Sequence, residues 1–265
     1  MSRSWTRHHP DWEYWLWTHR SARQLIQDRY PALLLVYDAY TRDPERQDAV
    51  RYVVLHEFGG VHADLDMESL RPLDALAVRY ACFLGQEPDA HAVLFTNVRY
   101  LASNALMACR RGHPFMKMAV ESLPDFAHMW SHFDRTGPHF VSSVLRRYQR
   151  QHPQVPADHT NGVYLTPPEY FSPTMDRDKL WLVRSICRSG YSRLSVLQKR
   201  VCQNLKTLPP EAERLAMAFA THYWIHTYPD MERVYRDKVR PIHTVVQGVM
   251  IYEGPWNVGG LNNEF

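Results

Sequence analysis

The sequence has no apolar run long enough to cross a bilayer, which excludes a helical membrane span within it. Residues 1–15 have no apolar core of the kind a secretory leader needs, so no signal peptide is expected. Charge of one sign is also scarce. Lys and Arg exceed Asp and Glu by only three, too little to imply a nucleic-acid partner. The four cysteines (Cys82, Cys109, Cys187, Cys202) share no short spacing, which excludes a CxxC pair or zinc ribbon. They are expected to be packed thiols, with disulfides open as the alternative if the domain faces a secretory lumen. No repeat, low-complexity tract or linker divides the 265 residues. One α/β domain, 1–265, is therefore expected, and the 45% apolar content suffices for a core.

Helix and strand patterns alternate along the chain. Ser21 reads as the N-cap of a helix that stops before Pro31. "LLLVYDAY" reads as a strand. Asp43-Pro44 supplies a cap and an N1 proline. The helix that follows carries Val50, Val53, Val54 and Phe58 at helical spacing and ends at Gly59-Gly60. In "VHADLDM" Val61, Ala63, Leu65 and Met67 alternate with His62, Asp64, Asp66 and Glu68, a strand pattern that would point both aspartates one way. "ACFLGQ" reads as a strand, "GVYLTPPEYF" as a strand running into a proline-rich turn, and "HPFMKMAVESLPDFA" as mainly helical. The basic stretch from about Tyr191 to Leu208 reads as a peripheral helix, and "RLAMAFATHYW" is open between helix and strand.

Two carboxylates on one side repel unless a cation lies beside them. A hard divalent ion such as Mn²⁺ or Mg²⁺ takes oxygen ligands and keeps positions open for substrate phosphates. The pair therefore points to chemistry on a nucleotide-sugar, with a solvated acidic strand end as the other reading. A haloacid-dehalogenase-type phosphatase also uses D-x-D, but it needs a later Gly-Asp pair, and no Gly-Asp dipeptide occurs in the chain.

"DAVRYVVLHEFGGVHADLDMESLRPLD" resembles the signature of glycosyltransferase family 32, the D-x-D sugar transferases. Members include α-1,6-mannosyltransferases, inositol-phosphoceramide mannosyltransferases and α-1,4-galactosyltransferases. "HPDWEYWLWTH", "SNALMACRRGHPF", "TGP" and "THYWIHTY" are similar to further family blocks in the same order, covering most of residues 9–228. The stretch from about Met231 to Phe265 resembles nothing and is expected as a C-terminal extension. The resemblance implies a GT-A-type fold with a mixed, mostly parallel sheet. It implies metal-dependent retaining transfer of a hexose from a UDP- or GDP-sugar to a hydroxyl of a glycan, glycolipid or glycoprotein, with Mn²⁺ or Mg²⁺ as cofactor, in the Golgi lumen. The family's usual opening strand has no counterpart before Trp5, so the first strand is expected to be missing. The alternative that follows is a catalytically inactive or truncated transferase-like binding protein.

Carried over by position, Asp64 and Asp66 are the catalytic acids of the motif. Asp66 is implied as the direct metal ligand and Asp64 as the holder of the ribose or a metal-bound water. Asp48 and Arg51 match the family's D-x-x-R-Y and are expected to face the donor, with a salt bridge between them as the structural alternative. Gly59 and Gly60 are expected to let the backbone approach the nucleotide. Asn104 is expected at the donor or acceptor, and Thr136-Gly137-Pro138 as a turn beneath the acceptor. His222 is the third metal or diphosphate contact, with a packed core histidine as the other reading and His226 as the fallback. Trp12, Trp15 and Trp17 are expected to pack on the sheet.

Overall fold

The computed structural model describes residues 2–225 and 249–251. His226 and nearly all of the expected C-terminal extension lie outside the described residues. The chain forms a mixed α/β structure. Its main sheet is built from β2 (Gly60–Ala63), β4 (Cys82–Gln86), β5 (Ala102–Cys109) and β6 (Tyr164–Leu165) in the order β2-β5-β4-β6. Two smaller pairs are β1 (Tyr14–Leu16) with β8 (Val249–Ile251), and β3 (Met67–Ser69) with β7 (Ala220–His222). The mixed sheet is as expected, but parallel pairing does not dominate it. β2 and β4 both run antiparallel to β5, and only β4–β6 is parallel.

Helices α1 (Ser2–His8), α2 (His19–Arg29), α3 (Leu34–Ala39) and α4 (Asp43–Glu57) precede and flank the D-x-D segment. α5 (Asp74–Ala77) follows it. α6 (Pro114–Phe126), α7 (His132–Arg135) and α8 (Pro138–Gln151) come after β5. α9 (Pro168–Phe171), α10 (Leu180–Ser189), α11 (Val196–Asn204) and α12 (Glu211–Met217) lead to β7. The main core lies between the sheet and α2, α4, α6 and α8, with Tyr52, Phe115 and Phe140 fully buried.

Several expectations shift. The cap of α2 is Thr18. Its Oγ1 accepts from Ser21 N at 3.1 Å, and Ser21 Oγ accepts from Thr18 N at 2.9 Å, a reciprocal box with Ser21 inside the helix. "LLLVYDAY" is helical, not a strand. Pro31 starts a 3₁₀ turn that runs into α3, and Leu33, Tyr37 and Tyr40 are buried at helical spacing while Leu35 faces solvent. In α4 the cap is Arg42, so Asp43, expected as the cap, is already the first helical residue. Val53 is buried as expected, while Val50, Val54 and Phe58 are half-buried and Asp48, Arg51 and Tyr52 go inward. "RLAMAFATHYW" is both things at once, α12 and then β7. Trp15 and Trp17 stack around Phe58, with ring centroids 5.3 and 5.6 Å away.

The cysteines are not free. Cys82 bridges Cys109, its register partner on the neighbouring strand, and Cys187 bridges Cys202 between α10 and α11. The neighbouring His113 is committed to caps. Its Nδ1 accepts from Phe115 N at 3.1 Å and its Nε2 faces Gly162 O at 3.2 Å, so Cys82, Cys109 and His113 form a structural cluster.

Candidate active site around the D-x-D turn

The aspartates do not sit on one continuous strand. β2 ends at Ala63, and Met67 N donates to Asp64 O at 3.0 Å, so Asp64 to Met67 form a tight turn. β3 then pairs antiparallel with β7, which sets Met67 opposite His222. This pairing delivers a residue from far along the chain to the turn. α1 holds β3 from the other side: Trp5 Nε1 donates to Met67 O at 3.0 Å and Ser4 Oγ accepts from Ser69 N at 3.0 Å.

Asp64 belongs to a buried polar network. Arg51 Nη1 lies 3.1 Å from Asp64 Oδ1, and Arg51 Nη2 lies 2.9 Å from Asp48 Oδ1. Arg51 Nη1 also donates to Asn104 O at 2.5 Å. The structural reading of Asp48–Arg51 thus holds, and the pair extends to the D-x-D. Asp48 is surrounded by donors: Asn104 Nδ2 at 3.0 Å and Thr136 Oγ1 at 3.1 Å. Burial nonetheless pushes the Asp48 carboxyl up to about 7, against the pull of Arg51 and with a further push from Asp64. For Asp64, burial also pushes upward, but Arg51 and the His62 hydrogen bond at 3.2 Å outweigh it and hold the carboxyl at about 2. Tyr52 closes the network by donating to Thr136 O at 2.6 Å.

Asp66 faces a different set of groups. His222 Nε2 lies 3.1 Å from Asp66 Oδ2, and Ile225 N donates to the same oxygen at 2.8 Å. Tyr223 N donates to Asp66 O at 3.0 Å. Residues 223–225 therefore wrap the second aspartate, with Trp224 in a left-handed conformation at φ 56°. Among the described residues His222 Nδ1 is buried without a partner, and the ring's polar contacts lie on the Asp66 side. Asp64, Asp66 and His222 offer ligand atoms that all lie within 4.8 Å of one another. Two carboxylates and an imidazole are a competent donor set for Mn²⁺ or Mg²⁺.

Other expected residues take narrower places. Gly59 has φ +74°, and a Cβ there would come within 2.5 Å of Arg111 N. The close approach at Gly59 is to the backbone of Arg110 and Arg111. At Gly60, with φ +94°, no described atom lies within 4 Å of where a Cβ would stand. Asn104 is buried and directs its amide nitrogen to Asp48 and, at 3.4 Å, to Tyr52 Oη, so it supports the network from within. Thr136 contacts Asp48, Gly137 caps α8 and Pro138 opens it. His62, Tyr52 and Trp224 carry roles that the sequence reading did not assign. The alternation that placed His62 on the face of Asp64 was a signal for the first. Nothing local announced Trp224.

Residues 1–83 match the family "Glycosyltransferase sugar-binding region containing DXD motif". Inositol phosphoceramide mannosyltransferase 3 of Schizosaccharomyces pombe is 36% identical over 148 residues, 54% of this chain and 38% of the relative. Mannosyl phosphorylinositol ceramide synthase SUR1 of Saccharomyces cerevisiae is 33% identical over 54% of this chain and 36% of its own length. Lactosylceramide 4-alpha-galactosyltransferase of Pan troglodytes is 27% identical over 57% and 40%. The alignments thus take in well under half the length of these relatives. The solved PaToxG glycosyltransferase superposes with a TM-score of 0.38 and 12% identity, covering 81% of this chain and 75% of its own. No described helix is long and apolar enough to cross a membrane. The first 83 residues, which build the D-x-D turn, are thus similar to the glycosyltransferase sugar-binding region that contains the D-x-D motif.

Proposed function

We propose that the chain is a metal-dependent retaining glycosyltransferase that moves a hexose from a UDP- or GDP-sugar to a hydroxyl of a ceramide-linked glycolipid. The convergence of Asp64, Asp66 and His222 within 4.8 Å carries this reading. Asp66 and His222 would hold Mn²⁺ or Mg²⁺. Asp64, fixed by Arg51 and ionised at any working pH, would hold the ribose or a water on the ion. When bound, the cation offsets the negative charge of the departing diphosphate.

The chain's own residues contribute position. Arg51 and Asp48 set the first aspartate, and the 223–225 segment sets the second. Fixed placement of donor and acceptor, with charges already oriented, supplies most of the acceleration in such a site. The acceptor class is supported by relatives named for inositol phosphoceramide and lactosylceramide. A Golgi lumen location agrees with two disulfides, which persist in oxidising compartments.

The test is donor hydrolysis across UDP- and GDP-sugars with Mn²⁺, beside an Asp66→Ala protein. Release of a single nucleoside diphosphate, abolished by chelator and by the substitution, is expected. A folded protein that neither binds nor hydrolyses any donor would overturn the reading.

A further inference from the structure

The hairpin of α10 and α11 differs in charge from the rest of the chain. Residues 177–206 carry eight Lys and Arg against one acid, Asp178, a formal +7, which leaves the remainder of this +3 chain at −4. Its inner face is apolar: Val183, Val201 and Cys202 pack on Ala90, Val93 and Leu94. The Cys187–Cys202 disulfide pins the two helices together.

The outer face has few partners. Arg177 reaches Glu211 at 3.6 Å, Lys179 lies over Phe95 and Lys199 over Tyr191. Among the described residues no acid pairs with Arg184, Arg188, Arg193, Arg200 or Lys206. Large apolar side chains stand among these cations: Trp181 is 69% exposed and Val196 86%, with Leu197 also exposed. A cationic helical surface bearing Trp and aliphatic side chains suits the boundary between anionic headgroups and acyl chains. A nucleic acid would match the arginines but gain little from Val196 and Leu197.

The hairpin lies close to the D-x-D turn. It packs on the π-helical segment His91–Phe95. His91 meets Trp224 edge-on at 4.9 Å, and Trp224 lies 4.1 Å from the ring of His222. Leu65, Tyr223 and Ile225 are exposed beside the aspartates.

We propose that the α10–α11 hairpin docks the protein on an anionic lipid surface, with the D-x-D turn beside that surface. Docking stands on charge and exposure alone. That the acceptor is taken from the same surface rests on the transferase reading.

The test is co-sedimentation of the full chain with vesicles of phosphatidylcholine, alone or with about 30% phosphatidylserine. At least about hundredfold stronger partition to the anionic vesicles is expected, lost at about 1 M salt. Each basic residue at such a surface contributes about fivefold, so the triple variant Arg188→Gln, Arg193→Gln, Arg200→Gln should lose on the order of a hundredfold. Trp181→Ala should lose severalfold with the salt dependence kept. Both variants change exposed side chains, and unaltered melting confirms that they fold. Equal partition to both vesicle types, no partition to either, or an unchanged triple variant would overturn the proposal. Binding of polyuridylic acid without vesicle binding would reassign the surface to nucleic acid and overturn it too. Asp66→Ala should bind vesicles as the parent does, so failure of docking and failure of the transferase reading are distinguishable.

Discussion

Asp64 and Asp66 lie one residue apart, yet they belong to two differently built regions. The α4 side of the turn is a closed network. Asp64 meets Arg51 and His62, and Arg51 in turn meets Asp48 and Asn104. The β7 side is a thin wrapping. Asp66 meets one imidazole and two backbone N–H groups from a three-residue segment. A carboxylate with a fixed guanidinium beside it has little charge left to offer a cation. A carboxylate opposite an imidazole, with no guanidinium described beside it, has more. The comparison teaches that the two acids of one D-x-D motif can stand in different surroundings, and under the proposed function the first would be a strut and the second a ligand.

The largest expected effect breaks the β7 side. Asp66→Ala should lower kcat/KM for donor turnover on the order of 10³-fold while leaving the urea midpoint nearly unchanged. Equal activity in the variant would remove the distinction. The α4 side should respond in the opposite way. Arg51→Met leaves the buried Asp48 and the half-buried Asp64 without their shared cation, and breaking a buried pair costs about 3–5 kcal/mol. Urea unfolding at neutral pH should read that loss whether or not a donor is bound.

A smaller effect comes from acid. Asp64 is held at about 2, below its ordinary value of 3.8. The stability it contributes is therefore full above about pH 4 and lost as pH falls toward about 2, on the order of 2 kcal/mol. Asp64→Asn should remove that slope from unfolding curves in this window. Asp48 has the opposite sign. Its carboxyl is raised to about 7 on folding, so it keeps its proton more tightly in the folded state, and its contribution falls as pH rises from about 4 to about 7. Asp48→Asn should flatten stability across that range. The smallest effect is expected for Thr136→Val, which removes the Oγ1 donor to Asp48 and should cost about 1 kcal/mol in the same unfolding assay.

Local chemistry made much of this legible. The glycine stop at Gly59, the helix spacing of Asp48 and Arg51, and the strand of Cys82 to Gln86 all follow from rules that act over a few residues. β5 was not read as a strand because all eight of its residues are buried, which leaves no alternation to detect. The run from Leu33 to Tyr40 was misread for a related reason: a short apolar stretch has no period until its neighbours choose one face. The D-x-D turn was mistaken for a continuous strand because its apolar and polar residues do alternate. The bend comes from β3 leaving the main sheet to pair with β7. Long-range pairing also explains why His222 was placed by family position and Trp224 was not placed at all.

The difference between the two aspartates is tested most directly by Mn²⁺ titration of the parent, Asp66→Ala and His222→Ala proteins, followed by loss of the free-ion electron paramagnetic resonance signal. The account predicts one bound ion in the parent and none in either variant, with all three proteins folded. Undiminished Mn²⁺ binding by the Asp66→Ala protein would contradict it.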